Sequence, residues 1–384
     1  MSIVLRVREY RSAEEAARDL TSFQLPRLPL PVLLYGTVIM AEGSVNELRA
    51  LAYQSRDLDA KAYAGRHSGR DALLLVMPHL DPLAGPVPEI DPLTRCLNDH
   101  FLDRETVVPT PRGPLRIDRP LVMGILNVTP DSFSDGGRYL NEDAAFARAE
   151  RMVDEGADII DVGGESTRPG SSPVGVEEEL SRVVPVVKRI AASLDVPVSV
   201  DTMKPEVARA AMGAGAAIIN DVAGLRDPAM IAAVRDTGAA AVVMHMRGRP
   251  ATMQVEVTES SYGDVVADVM WYLQGRIEAA EAAGVPRERL IVDPGLGFGK
   301  TLEHNVELLR RCRELRGLSL PVLVGASRKG FIGRLTGADA PDRLGGSVGA
   351  AVIAAANGAR VVRVHDVRET AQALRLLSKV GYST

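Results

Sequence analysis

The stretch GADIIDVGG, residues 156–164, holds the pattern on which the fold turns. A glycine, free to take the left-handed backbone that ends a helix, is followed by a small residue and then by a short apolar run closing on polar positions or glycine. An apolar run of this length without alternation reads as a strand buried on both faces. The pattern returns as Gly215-Ala216 before AIINDVAG, Gly238-Ala239 before AAVVMHM, Gly284-Val285 ahead of LIVDPG, and Gly358-Ala359 before RVVRVHD.

Three further runs, LVMGILNVT (121–129), PVSVDT (197–202) and PVLVGAS (321–327), bring the strands to eight. Each is followed by a helical stretch, the last from Arg368 to Lys379. In one of these helices Asn141 is placed to cap, Phe146, Ala149 and Val153 share a face, and Gly156 marks the end. Eight strand–helix units in roughly 260 residues predict an α/β chain closed into a (β/α)8 TIM barrel. The rival, an open doubly wound sheet, usually carries fewer strands and a glycine-rich first turn.

The chain has 384 residues, so a little over a hundred lie upstream of the barrel. Their texture (IVLRVRE, SAEEAARDLTSF, VLLYGTVIMA, SVNELRALAYQS, ALLLVMP) predicts a small α+β N-terminal domain, residues 1–105, of unknown role, with the barrel at 106–384. Two proline-rich stretches, Leu80 to Pro92 and Pro109 to Pro120, separate the N-terminal unit from the first barrel strand. The second, TVVPTPRGPLRID, also reads as a hairpin around Arg112-Gly113 that closes the bottom of the barrel. His67, His79 and His100 are scattered singly and form no constellation.

A 46% hydrophobic and 25% charged composition is that of a soluble globular protein and argues against disorder, collagen or a disulfide scaffold. A net charge of −5 provides no general field for nucleic acid. Cys96 and Cys312 lack metal-ligand or CxxC spacing and read as free thiols of a reducing compartment. Charges threaded through MSIVLRVREYRS argue against a secretory signal, and the longest uncharged stretch, 344–359, is too short for a membrane span, so a cytoplasmic location is expected. Lys and Arg together number 45, yet only six are lysines, which singles out Lys300 in the strand-six turn and Lys329 after strand seven.

Barrel enzymes build their sites at the C-terminal ends of the strands. Here those ends carry Asn127, then Glu165-Ser166-Thr167-Arg168, Asp201, Asn220-Asp221, His245, Asp293, Ser327-Arg328-Lys329, and Arg363 with His365. Any one of these acids or amides can be a helix cap and no more. Eight polar ends converging on one face predict a site.

At these residues the chain resembles the dihydropteroate synthase family. LVMGILNVTPDSFSDGG (121–137) and ADIIDVGGESTRPGS (157–171) resemble its two long signatures. VSVDTMKPEVA, IINDVAG, MHMRGRPATMQ, DPGLGFGKT, GASRKGFIG and RVHDV follow in the family's order over residues 106–384. The resemblance implies a transferase of folate biosynthesis. It would condense 6-hydroxymethyl-7,8-dihydropterin diphosphate with 4-aminobenzoate to give 7,8-dihydropteroate and diphosphate. It also implies pterin binding, magnesium, a homodimer and a sulfonamide target, with no nucleic acid or membrane as partner.

By that resemblance Asp201, Asn220, Asp293 and Lys329, with Thr167 and Met244, bind the pterin. Carboxylates and an amide are natural readers of its exocyclic amine, ring N–H and carbonyl. Asn127, Arg363 and His365 hold the diphosphate, Asn127 also touching Mg2+, and Asp135 joins the catalytic set. Phe133, Thr167, Arg168, Pro169, Phe298 and Ser327 wall the aminobenzoate pocket, with a helix N-terminus for the carboxylate. The loops TPDSFSDGG and STRPGSSPVG are expected to act as lids. DPGLGFGKT is not a phosphate loop, because Pro294 stands where its first glycine belongs. No second histidine at ligand spacing makes His245 a metal site. Gly330 and Arg249 depart from the family pattern, and the N-terminal hundred residues lie outside it. The alternatives are a pterin-binding methyltransferase, which needs no diphosphate machinery, and a silent pterin-binding paralogue.

Overall fold

The computed structural model describes residues 3–10, 16, 37–54, 60–77, 95, 96, 99, 105–129, 138–166, 173–248, 253 and 257–380. Near the N-terminus lie β1 (Val4–Arg8), β2 (Thr37–Glu42), α1 (Val45–Gln54), β3 (Lys61–His67) and β4 (Arg70–Met77). They form an antiparallel sheet in the order β1-β2-β4-β3. Alternation along β4 sends Leu73, Leu75 and Met77 to one face, with Leu48 and Leu51 of α1, and Leu74 and Val76 to the other. Ser68 and Gly69, both with positive φ (47° and 80°), make the tight β3–β4 turn.

The predicted hairpin follows as β5 (Thr106–Val108) and β6 (Leu115–Ile117), antiparallel, with its turn closed by Gly113 N donating to Thr110 O at 3.2 Å. Its inward residues Val108, Leu115 and Ile117 pack with Met123, Ile159, Ile218, Val242, Ile291 and Val361 from barrel strands. The hairpin thus plugs the bottom of the barrel.

The barrel strands are β7 (Leu121–Asn127), β8 (Ile159–Gly163), β9 (Val198–Asp201), β10 (Ile218–Asp221), β11 (Ala240–Met244), β12 (Leu290–Asp293), β13 (Leu323–Val324) and β14 (Val361–Val364). The helices between and after them are α2 (Arg138–Glu155), α3 (Val176–Ser193), α4 (Pro205–Gly213), α5 (Pro228–Thr237), α6 (Val265–Ala282), α7 (Leu302–Arg310), α8 (Gly330–Thr336), α9 (Leu344–Ala356) and α10 (Val367–Val380). All the strands are parallel in the order β12-β11-β10-β9-β8-β7-β14-β13. A parallel bridge between Val292 and Val322 closes the ring. The chain is therefore an α/β protein with a (β/α)8 barrel, as the glycine-strand pattern predicts.

Two local expectations are corrected. Asn141 lies within α2, which starts three residues earlier at Arg138, so it is not the cap. The strand expected across PVLVGAS shrinks to Leu323–Val324, because the chain turns immediately after it: Lys329 N donates to Ala326 O at 3.2 Å, and Arg328 has φ 58°. Among the described residues no helix is long and apolar enough to cross a membrane.

The N-terminal sheet meets the barrel through buried charge. Arg6 Nη1 lies 2.9 Å from Glu42 Oε1 and Arg6 Nε 3.3 Å from Glu314 Oε2, while Arg8 Nη1 donates to Glu314 at 2.8 Å. Arg311 binds Glu314 and also Asp264, the residue that caps α6. Arg70, at the start of β4, reaches Asp268 of α6 at 2.7 Å.

Candidate active site

Strand register sets the floor of the site. Asn127 on β7 pairs with Gly163 on β8, Gly163 with Asp201 on β9, and Asp201 with Asn220 on β10. Further round, Met244 on β11 pairs with Asp293 on β12. Parallel strands with this stagger bring side chains distant in sequence onto one rung at the C-terminal mouth.

The buried centre of this rung is a carboxylate–guanidinium cluster. Arg363 Nε donates to Asp161 Oδ2 at 2.6 Å, and its Nη2 donates to Asp201 Oδ2 at 2.6 Å. Asn220 Nδ2 donates to the same Asp161 Oδ2 at 3.1 Å. Asp161 is completely buried, and its Oδ1 has no hydrogen-bond partner among the described residues. Burial pushes the Asp201 carboxyl up to about 7; Arg363 opposes this, and the nearby acids, Asp161 first, add to it. Burial works against the Arg363 charge, but Asp161 and Asp201 outweigh it and raise its pKa.

A second cluster lies at strands six and seven. Asp293 Oδ1 accepts from Gly295 N at 2.7 Å, and burial raises its pKa against the pull of Lys329. Lys329 donates Nζ to Leu296 O and sits 4.5 Å from the centre of the Phe298 ring, a cation–π contact. Burial lowers Lys329 to about 8, with Asp293 the main opposing influence. Ser327 Oγ accepts from His365 N at 3.2 Å and lies 3.1 Å from His365 Nδ1. Beside the polar groups is an apolar wall of Val222, Met244, Met246 and Met253, against which Met203 and Phe298 pack.

The structure thus brings together Asn127, Asp201, Asn220, Met244, Asp293, Phe298, Ser327, Lys329, Arg363 and His365 at the barrel mouth. Phe133, Asp135, Thr167, Arg168, Pro169 and Arg249 lie outside the described residues. Asp221, next to Asn220, is occupied in its own turn, accepting from Ala223 N and Leu225 N at 2.8 Å each. A Cβ on Gly330 would meet nothing within 4 Å.

Sequence reasoning overlooked Asp161, which looks like one polar residue inside an apolar strand. Its only available signal was that a charge in a doubly buried strand needs a partner. It also overlooked a clasp on the loop after β8. Lys204, the residue before α4, bridges Glu165 and the fully buried Glu179. Glu165 Oε1 in turn accepts from Val174 N at 3.2 Å. The two ends of that loop are therefore tied to each other and to α3.

Buried carboxylates, an amide and a lysine thus converge beside an apolar wall at the strand ends where barrel enzymes build their sites. The chain belongs to the pterin binding enzyme family, whose model matches residues 123–365. It is 51% identical over 263 residues to the dihydropteroate synthase of Escherichia coli K12, covering 68% of this chain and 92% of that one. The Yersinia pestis dihydropteroate synthase, solved as a sulfonamide drug complex, superposes with a TM-score of 0.67 at 46% identity, covering 72% of this chain and 99% of the other. The Xanthomonas albilineans dihydropteroate synthase with 4-aminobenzoic acid gives 0.65 at 51% identity, covering 70% and 95%.

Proposed function

We propose that the protein is a dihydropteroate synthase, a transferase of folate biosynthesis. It joins 6-hydroxymethyl-7,8-dihydropterin diphosphate to 4-aminobenzoate and releases diphosphate. The observation that carries the reading is the juxtaposition of Asp201, Asn220 and Asp293 with Lys329 at one barrel mouth, within a family and at identities where the relatives carry that activity.

The pterin edge donates from its exocyclic amine and ring N–H to Asp201 and Asp293 and meets Asn220. Lys329 donates to a ring acceptor, and Met244 lines one face. Thr167 joins them from the loop whose ends the Glu165–Lys204 clasp holds. Arg363 spends Nε and Nη2 on Asp161 and Asp201, which orients its remaining amino group; with His365 it steadies the diphosphate. The bond from the pterin methylene to the diphosphate oxygen breaks with its electron pair leaving on diphosphate. The neutral arylamine then attacks the methylene and loses one proton. No strong base is needed, because the arylamine is unprotonated at neutral pH. Phe133, Arg168, Pro169, Phe298 and Ser327 wall the amine, and Asp135 belongs to the loop that keeps water out.

Asn127 is partly exposed at the strand end and offers one amide oxygen. A magnesium ion carried on a diphosphate and otherwise hydrated requires few protein oxygens, so the donor fits. When bound, the ion neutralises charge on the diphosphate. Sulfonamides are expected to compete with aminobenzoate.

Exposed apolar side chains on α9 (Leu344, Ile353) and α10 (Leu376, Val380) support a homodimer through this side of the barrel, which light scattering at micromolar concentration tests. The two buried cysteines, both free, support a cytoplasmic location. Residues 1–105 are read as a separate unit from the barrel at 106–384, attached through the Arg6–Glu314 network.

The deciding experiment supplies purified protein with magnesium and both substrates and follows dihydropteroate and diphosphate. No product sinks the assignment. Binding of the pterin diphosphate without turnover identifies a silent paralogue.

A further inference from the structure

Lys300 is a buried lysine of the barrel to which the proposed reaction gives no part. It is 1% exposed and forms no ion pair among the described residues. Its Nζ instead reaches Gly295 O at 2.9 Å, Phe298 O at 3.1 Å, His245 Nδ1 at 2.9 Å and, more weakly, His245 O at 3.4 Å. Burial pulls the Lys300 amine well below the ordinary lysine range, with Asp293 opposing, and the cage offers an acceptor for each N–H the amine carries. The Nδ1 contact ties the turn to His245, whose ring stands edge-on to Tyr272 at 4.8 Å.

The cage is a feature of backbone shape. Gly295, Gly297 and Gly299 have φ of 66°, 80° and 63°, so the turn kinks left-handedly at alternate residues and folds carbonyls inward onto the Lys300 Nζ. A Cβ on Gly295 would collide with the carbonyl oxygen of His245, and one on Gly299 with that of Arg247, so the turn sits directly on the end of β11. From outside, Asn305 Oδ1 accepts from Gly297 N at 2.6 Å.

What the turn presents to the barrel mouth is the Leu296 carbonyl, which binds Lys329, and the Phe298 ring, which lies against the same ammonium and the methionine wall. The turn is largely buried, and the desolvation of an amine inside it is offset by the four contacts that Nζ makes. Because the same turn carries the Leu296 carbonyl and the Phe298 ring, the contacts that hold the turn also orient those two groups.

We infer that Lys300 is a positioning residue for the reaction. Its contacts set the Gly295–Gly299 turn, and through that turn the Phe298 ring and the Lys329 Nζ that face the two substrates. This rests on the function proposed above, with Phe298 on the aminobenzoate side and Lys329 on the pterin side. Lys300 touches neither substrate. Diphosphate departure takes place at Arg363 and His365, on another strand, so loosening the turn weakens capture of the amine more than it slows the chemical step.

The test compares wild type, Lys300→Met and Asn305→Ala in dihydropteroate formation and in amide hydrogen exchange of the ligand-free protein. For Lys300→Met we expect the KM for 4-aminobenzoate to rise at least tenfold while kcat falls less than threefold. Protection of the 295–299 amides should fall while β9 and β10 keep theirs. Asn305→Ala, which strands no buried charge, should move the same quantities in the same direction, with KM up at least threefold. Michaelis constants within twofold of wild type, or a fall in kcat alone, overturn the inference. If Lys300→Met does not accumulate folded, Asn305→Ala decides by the same criteria. If wild type makes no dihydropteroate, the proposed function fails, and unchanged exchange at 295–299 in the variants independently overturns the positioning of the turn.

Discussion

Arg363 on β14 places its Nε 2.6 Å from the carboxylate of Asp161 on β8, two strands around the ring with β7 between them. The residue expected to grip the departing diphosphate is thus first the counter-ion of a buried acid. That acid raises the pKa of Asp201, so the three groups form one electrostatic unit.

Asp161→Asn removes a negative charge from beside Asp201 and leaves Arg363 paired with Asp201 alone. Both changes favour the Asp201 carboxylate, so its pKa should fall below its present value of about 7. The pH dependence of binding of 6-hydroxymethyl-7,8-dihydropterin, a probe without phosphate, reports this as an acid limb moved to lower pH. An unmoved limb refutes the coupling. Asp161→Ala also strips the acceptor from Asn220 and should cost about 3 kcal/mol in urea unfolding.

For the wild type, binding of the same probe should follow a bell. It rises as the Asp201 carboxyl, at about 7, loses its proton and becomes the acceptor of the pterin N–H. It falls as Lys329, at about 8, loses the proton it donates. Lys329→Met should abolish the alkaline limb and weaken binding roughly 100-fold; an alkaline limb that survives it assigns that limb elsewhere.

The junction of sheet and barrel should give an acid-sensitive stability. Glu42 and Glu314 are both lowered to about 2 from 4.5: burial resists, but Arg6 for Glu42 and Arg311 for Glu314 prevail. Between those values the unfolded chain binds more protons than the folded one, so stability increases with pH across that window. Stability from these groups is complete above pH 4.5 and is lost as pH falls toward 2. Glu314→Gln should cost about 3 kcal/mol at pH 7 and flatten the acid limb of denaturant midpoint against pH. A variant with the wild-type slope would show that the pairing adds nothing.

Gly295→Ala puts a side chain at φ 66° and into the His245 carbonyl. It should destabilise the fold by about 2 kcal/mol or more and raise both Michaelis constants. Gly330→Ala, whose Cβ meets open space, is the control expected to leave the melting temperature within a degree or two.

Most of the barrel was legible because its rules are local. A glycine that ends a helix and an apolar run that must be buried leave the same mark at every unit, and parallel order then permits a right-handed ring. Strand-end residues such as Asp201, Asn220 and Asp293 were legible for the same reason. The Asn141 cap failed because helix ends shift by a turn at little energetic cost. The short β13 was hidden because residues after Val324 look as apolar as a strand yet turn at Arg328.

The sequence by itself determined eight strands, their order along the chain, the plugging hairpin and which polar residues stand at strand ends, since each follows from near-neighbour chemistry. Only the tertiary structure decided who pairs with whom. Arg363 with Asp161, Lys204 with Glu165 and Glu179, Lys300 with His245, and Arg6 with Glu314 join residues that ring closure and docking bring into contact. Charge pairing in a low-dielectric interior depends on distance across space, and one-dimensional spacing does not carry that information.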